Sequence, residues 1–109
     1  MDKLRGGTFA DLIKRNYNNH MRITFDLTKD TSNMVKHGVS LAEAELLDWD
    51  SVLAMPDVRR NYGELREIGC GLIGDRLYCM VFVQRNQVLH IISLRQANSR
   101  EVSNYVQST

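Results

Sequence analysis

Proline and long apolar runs are scarce in this sequence of 109 residues, which contains a single Pro. No apolar stretch approaches the roughly 20 residues that are needed to cross a bilayer. The N-terminal residues Met1-Asp2-Lys3-Leu4-Arg5-Gly6-Gly7 are not followed by the continuous apolar stretch of a secretory signal. These absences predict a cytoplasmic protein that has no membrane partner.

The sequence contains no recognisable metal-binding or phosphate-binding motif. The three histidines lie in unrelated segments, and the spacing of Cys70 and Cys79 matches no metal site. The glycines of residues 69–74 are not accompanied by the lysine of a phosphate-binding loop. The sequence therefore predicts no metal and no cofactor. It also predicts that the two cysteines are small buried side chains in neighbouring strands rather than a disulfide.

The overall composition is that of a globular chain. Hydrophobic residues make up 43% of the sequence and charged residues 25%, which is typical of a folded rather than a disordered protein. A chain of this length has room for one domain. The polar tract Asn16-Tyr17-Asn18-Asn19-His20 separates the first residues from the rest, so we expect a weakly ordered extension over residues 1–20 and a single domain over 21–109.

The first half of the domain is predicted to hold one strand and two helices. Residues 22–26 alternate in the manner of a short strand. A helix of about ten residues then begins, with Asp26 or Thr28 as its N-cap and with Met34 and Val35 as its expected buried positions.

Two capping boxes mark later helices. Gly38 is predicted to end the first helix in the left-handed conformation. Ser40 and Glu43 are predicted to open the second helix, which continues through Leu47 and ends near residues 48–50. Asn98 and Glu101 repeat the pattern at the start of a C-terminal helix.

Four apolar segments between these helices are predicted to be strands, near residues 52–55, 66–72, 77–84 and 88–95. The third is apolar on both faces and is therefore expected to be central. Short connections favour antiparallel pairing. The predicted fold class is α+β, with an antiparallel sheet of four to five strands on which an N-terminal helix pair and a C-terminal helix pack.

Lysine is absent from residues 58–109, where all seven basic residues are arginines and only four residues are acidic. Residues 1–57 contain nine acidic and seven basic residues. A guanidinium presents a planar fork of donors that fits a phosphate with two hydrogen bonds. The arginines therefore favour phosphate recognition, and solvation of strand edges is the alternative for each of them.

Candidate site residues occur in three places. Ser93 and Arg95 are two residues apart on the last strand, so their side chains are predicted to point to the same face of the sheet. His37 ends a helix whose dipole favours a positive charge. The remaining candidates lie in the turn-rich segment before the second of the four strands: Arg59, Arg60, Tyr62 and Arg66.

Such side chains suit RNA cleavage without a metal, in which the 2′-hydroxyl attacks the adjacent phosphate and a base, a cation and an acid are required. Each has an ordinary structural alternative. His37 also fits a helix cap, Tyr62 a packing aromatic, and His90 a satisfied core or edge histidine.

Motifs in a single consistent order between residues 22 and 105 carry a resemblance to a known family. The most specific are Lys36-His37-Gly38-Val39-Ser40, Tyr62-Gly63-Glu64-x-Arg66, Ile91-Ile92-Ser93-x-Arg95-x-Ala97 and Arg100-Glu101-x-x-x-Tyr105. Shorter matches lie among them: Phe25-Asp26, Lys29, Asn33, Asp57-x-Arg59 and Gly71. With these motifs the sequence resembles the BrnT toxins of bacterial type II toxin–antitoxin systems.

The resemblance implies a RelE-like fold and a metal-independent ribonuclease that blocks translation. It also implies a BrnA-like antitoxin as partner, whose DNA-binding part brings the complex to DNA only indirectly. By position, it implies catalytic roles for His37, Arg59, Tyr62 and Arg95, with the two arginines on the phosphate and His37 or Tyr62 transferring a proton. It implies RNA-binding roles for Lys36, Arg60, Arg66, Ser93 and Arg100.

Two positions depart from the family pattern. Leu27 stands where a proline is usual, and Gln96 replaces a lysine, which removes one cation beside the implied site. A catalytically silent relative that binds RNA or protein is therefore the alternative to a nuclease. A DNA-binding regulator is a weaker alternative, since no predicted helix carries a basic face suited to the major groove.

Overall fold

The structure, a computed structural model, describes residues 22–109. The predicted extension over residues 1–20 lies outside the described residues. The elements follow the predicted order of strand, two helices, four strands and helix. Their bounds are β1 (Arg22–Thr24), α1 (Leu27–His37), a 3₁₀ helix (Leu41–Leu46), β2 (Asp48–Pro56), β3 (Glu67–Ile73), β4 (Arg76–Arg85), β5 (Val88–Gln96) and α2 (Ser99–Ser108).

The five strands form one sheet in the order β1-β5-β4-β3-β2. The four later strands pair antiparallel, and β4 is central, as predicted. β1 instead pairs with β5 in parallel, so the prediction of an antiparallel sheet was wrong at this edge. A short loop cannot join parallel neighbours, and here α1, the 3₁₀ helix and three strands intervene between them.

The hydrophobic core covers one face of this sheet. Met80, Phe82, Leu89, Ile91 and Leu94 from β4 and β5 are all buried in it. Trp49 and Val52 of β2 belong to the same cluster, and the segment between α1 and β2 adds Val39, Leu41, Ala44 and Leu47. The Trp49 and Phe82 rings meet edge to face at 6.1 Å.

Helix α1 begins and ends as predicted, but it presents the opposite face to the protein. Asp26 is its N-cap, and Gly38 closes it in the left-handed conformation with φ 74°. Met34 and Val35, which were predicted to be buried, are 46% and 82% exposed. The buried residue is Asn33, because α1 packs beside a strand edge whose backbone groups need a polar partner.

That edge is the part of β5 that β1 does not cover. The Asn33 side-chain amide donates to the Leu94 carbonyl (2.7 Å) and accepts from the Leu94 amide (3.2 Å), as a neighbouring strand would. It also donates to the Val39 carbonyl after the helix (2.8 Å). One side chain therefore satisfies three buried backbone groups.

The predicted second helix is a shorter 3₁₀ helix. Its capping box between Ser40 and Glu43 is confirmed. However, residues 48–50, expected to end this helix, begin β2 instead. β2 departs from regular pairing with β3 between Asp48 and Leu53, and there the Ser51 hydroxyl accepts from the Leu72 amide (2.9 Å).

Cys70 and Cys79 lie directly opposite each other in β3 and β4 and form a disulfide. The prediction of two unpaired side chains was therefore wrong. Spacing alone does not reveal this pairing, which follows from the register of the β3–β4 hairpin.

Helix α2 begins with the predicted capping box between Asn98 and Glu101. Tyr105 ties it to β2 by donating its hydroxyl hydrogen to the Ser51 carbonyl. Two of its apolar residues, Val102 and Val106, stay 40% and 63% exposed. No helix within residues 22–109 has the length and hydropathy of a membrane span.

Candidate functional site

The sheet face opposite the core carries the candidate site. Since side chains alternate along a strand, the neighbours of the buried Met80 and Leu94 point away from the core. The pairing register aligns them in two rows across β3, β4 and β5: Ile68 with Val81 and Ser93, and Cys70 with Cys79 and Arg95. We call the face of the sheet that carries these two rows the second face. Ser93 and Arg95 share it, as predicted.

A β-bulge in β5 adds a third row to the second face. Phe82 pairs with Ile91, whereas its neighbour Val81 pairs with Ser93, so Ile92 is an extra residue. His90 pairs with Val83, which points away from the core. The bulge therefore places His90 on the same face as Ser93 and Arg95, although sequence parity separates them.

Arg95 is bound by a carboxylate on α2. Its Nη1 and Nη2 donate to the two oxygens of Glu101 at 2.8 and 2.7 Å. This hydrogen-bonded pair raises the pKa of Arg95 and lowers that of Glu101 to about 2. Both side chains keep contact with solvent, at 38% and 27% exposure. The pair fixes the direction of the Arg95 guanidinium and links α2 to β5.

A second arginine–carboxylate pair stands at the start of the loop over residues 57–66. Asp57 is fully buried and accepts from Arg59 Nε (2.8 Å) and Nη2 (2.7 Å). Hydrogen bonds from Arg59 hold the pKa of Asp57 well below its ordinary value, and the carboxylate raises the pKa of Arg59. Arg59 itself is 65% exposed, so a buried anion holds an accessible cation.

The other end of this loop presents a stacked pair. The Arg66 guanidinium carbon lies 3.9 Å from the centre of the Tyr62 ring, a cation–π arrangement. The Asp57 amide donates to the Arg66 carbonyl (2.8 Å), which brings the two ends of the loop together. Arg59, Tyr62 and Arg66 therefore form one cluster.

The loop cluster and Arg95 are electrostatically coupled. Glu101 has the largest influence on Arg95, but the positive charge of Arg59 also acts on it and opposes the rise in its pKa. Two cations that repel each other favour an anion that interacts with both.

His37 and Lys36 lie in a separate groove beside the β5 edge. Lys29, Ser32 and Asn33 of α1 form its wall together with these two residues, and Ile92 and Ser93 complete it with a volume of about 150 Å³. Ser93 is thus the residue that this groove and the second face have in common.

Two predicted residues stand apart from these groups. Arg60 is exposed, and no contact in the described part of the chain joins it to the other candidates. Arg100 is exposed in the first turn of α2, where its charge contributes to the lowered pKa of Glu101.

Sequence reasoning missed the carboxylates that hold the arginines. Asp57 and Glu101 each belong to a motif that carries the family resemblance, but neither of them was predicted from the sequence to have a role at the site. A carboxylate near an arginine in sequence is a usable signal for Asp57-x-Arg59. Arg95 and Glu101 are six residues apart, and only the turn between β5 and α2 brings them together, so the sequence alone does not indicate this pair.

The Arg95–Glu101 pair predicts a pH-dependent contribution to stability. Glu101→Gln keeps the capping box, since glutamine also serves there, and removes the charge. We expect it to lower the free energy of unfolding at pH 7 by at most about 1 kcal/mol, because both partners are partly exposed. The Glu101 pKa is depressed by folding from 4.5 to about 2, so this contribution is complete above pH 4.5 and fades as the pH falls toward 2.

Urea unfolding of both proteins between pH 2 and 7 measures this difference. Glu64→Gln is the matched control, because it removes a carboxylate from the more exposed pair with Arg85 and should change the free energy less. A Glu101→Gln difference that stays constant over the whole pH range contradicts the account.

Comparison with known proteins places these groups in a family context. The family model of the BrnT ribonuclease toxins of type II toxin–antitoxin systems matches residues 25–101. The matched range contains all nine predicted site residues and both carboxylates. No curated protein matches the chain.

Proposed function

Because this chain belongs to the BrnT family of ribonuclease toxins of type II toxin–antitoxin systems, we propose that it is a metal-independent endoribonuclease whose site lies on the second face of the sheet. The observation that carries this proposal is the convergence of arginines there. Arg95 lies on β5, and the positive charge of Arg59 in the loop acts on it. Ser93 lies on the same face as Arg95, and Arg66 belongs to the same loop cluster as Arg59.

The arginines bind the scissile phosphate and stabilise the negative charge that develops on it. Arg59 and Arg95 remain cationic, since their carboxylate partners raise both pKa values. Guanidinium groups held in fixed directions suit this task because they need no reorganisation during the reaction. The flanking RNA is contacted by the remaining polar and basic candidates, Lys36, Arg60, Arg66, Ser93 and Arg100.

Proton transfer from the attacking 2′-hydroxyl falls to His37 or Tyr62. His37 shares its groove with Ser93, so a phosphate at Ser93 is adjacent to both the groove and the second face. Tyr62 is the second candidate because its ring lies under Arg66. The reaction yields a 2′,3′-cyclic phosphate and a free 5′-hydroxyl.

Membership of the family supports a proposal for the cellular role. Cleavage of RNA in the cytoplasm stops translation, and a cognate antitoxin of the BrnA type blocks the toxin and brings the complex to DNA. The α+β arrangement of a five-stranded sheet and helices supports a RelE-like assignment of the fold. The loop over residues 57–66 also carries exposed apolar side chains, Val58 and Leu65 at 84% and 60% exposure, which offer contact area to the antitoxin.

One observation favours a silent binding module as second candidate. Asp57 and Glu101 already occupy hydrogen-bonding edges of Arg59 and Arg95. Gln96 in place of the usual lysine removes a further cation. In this second candidate, the protein binds RNA weakly and does not cleave it.

The test is cleavage of a mixed RNA substrate by the purified chain in the presence of a chelator. We expect fragments with 2′,3′-cyclic phosphate ends and undiminished rate with the chelator. RNA binding without cleavage supports the silent module instead, and cleavage that the chelator stops contradicts metal independence.

A further inference from the structure

None of the roles assigned above supplies a proton to the departing 5′-oxygen. The second face holds several ionisable groups near Arg95, but most are fixed in one state. Arg59 and Arg95 have raised pKa values, and Asp57 and Glu101 have lowered ones. Groups of this kind hold charge at neutral pH and do not exchange protons.

His90 is on this face because of the β5 bulge. With Ile92 as the extra residue, His90 and Ser93 follow the spacing of two residues in a regular strand, which separates their Cα atoms by about 7 Å. Bulges commonly occur beside active sites, where they redirect a side chain. Here the bulge brings an imidazole to the face that carries Ser93 and Arg95.

A hydroxyl orients the His90 ring. Thr24 pairs with His90 across the parallel β1–β5 edge, and its Oγ1 lies 3.0 Å from His90 Nδ1. In the imidazolium, Nδ1–H donates to this oxygen. Because Nδ1 is engaged with Thr24, Nε2–H is the imidazolium proton that is left for transfer to a substrate.

We propose that His90 Nε2 donates the proton to the 5′-oxygen as it leaves, with Thr24 as the positioning residue. The proposal rests on the ribonuclease function given above. The 2′-oxygen forms a bond to phosphorus and loses its proton to the base, and the phosphorus–O5′ bond breaks. The electron pair of that bond stays on O5′, which takes the Nε2 proton, and solvent then reprotonates the ring.

This assignment predicts a specific chemical rescue. In an RNA whose scissile 5′-oxygen is replaced by sulfur, the leaving thiolate needs no proton. We expect His90→Asn and His90→Gln to slow single-turnover cleavage of the oxygen substrate by roughly 10²-fold or more. Both variants should cleave the sulfur substrate close to the wild-type rate.

The substrate is an oligonucleotide that contains a cleavage site mapped with the wild-type protein. Thr24→Val keeps a β-branched strand residue without the hydroxyl and should show a smaller defect, which the sulfur substrate again removes. Thr28→Val, on the exposed side of α1, is the matched control and should leave both rates unchanged.

Equal slowing of the oxygen and sulfur substrates, or no slowing of either, overturns the role of His90 as donor. If the wild-type protein cleaves RNA and the His90 variants match it, this inference alone fails. If the wild-type protein does not cleave the oxygen substrate, the proposed function fails with it.

Discussion

Arg95→Ala is expected to lower the rate of RNA cleavage by about 10²–10³-fold, the usual loss when a fixed donor to a developing anion is removed. The Arg95 guanidinium lies partly exposed on the second face, where two hydrogen bonds to Glu101 hold it. Within residues 22–109, no other arginine occupies the same row of the sheet. Alanine therefore leaves the phosphate without its main fixed partner from β5.

The same substitution should change stability little. Arg95 and Glu101 are both partly exposed, so breaking their ion pair costs about 1 kcal/mol or less. The measurement is single-turnover cleavage together with thermal unfolding of each variant. A loss of cleavage without a comparable loss of stability assigns Arg95 to the reaction rather than to the fold.

Arg76→Ala is the matched control. Arg76 is an exposed arginine at the start of β4, and the register places it beside Ile73, far along the strands from the row of Ser93. It changes the net charge by the same amount as Arg95→Ala. Equal loss of cleavage in the two variants contradicts a local role for Arg95 and indicates a general effect of positive charge.

Asn33→Ala is expected to have the largest effect on stability, about 3 kcal/mol or more, since each buried polar group left without a partner costs about 1–3 kcal/mol. Asn33 is 5% exposed and serves the Leu94 amide, the Leu94 carbonyl and the Val39 carbonyl. A domain of this size is stable by only about 5–15 kcal/mol. The variant therefore loses a large share of its stability.

Asn33→Asp separates hydrogen bonding from volume. It keeps the size of the side chain and an acceptor for the Leu94 amide, but it loses the donors and places a charge against two carbonyl oxygens. We expect it to destabilise the protein at least as much as alanine does. Asn104→Ala, at an exposed position of α2, is the control and should stay within about 0.5 kcal/mol of the wild type. If urea unfolding gives the same small change for Asn33→Ala, the edge-capping role is wrong.

Local chemistry was predictable from this sequence. The capping boxes at Ser40 and Asn98 and the glycine that ends α1 are confirmed. Each depends on residues within a few positions of one another, so a short segment already contains the necessary partners.

Features that depend on tertiary context were not predictable. Met34 and Val35 were expected to face the core because apolar residues usually do, yet α1 covers an open strand edge and turns Asn33 inward. The disulfide of Cys70 and Cys79 depends on the hairpin register.

The candidate site was predicted in part. Arg59, Tyr62 and Arg66 do form one cluster, and Ser93 and Arg95 do share a face. The position of His90 on this face was not predictable, because a bulge of one residue reverses the alternation of side chains and no local sequence pattern indicates the bulge.

The most direct test of the account is expression of the wild-type chain and of Arg95→Ala in a bacterial host, with mapping of RNA ends. We predict growth arrest and new RNA ends with 2′,3′-cyclic phosphates for the wild type, and neither for the soluble, folded variant. Absence of new RNA ends with soluble wild-type protein, or equal cleavage by the variant, would contradict a ribonuclease site built around Arg95.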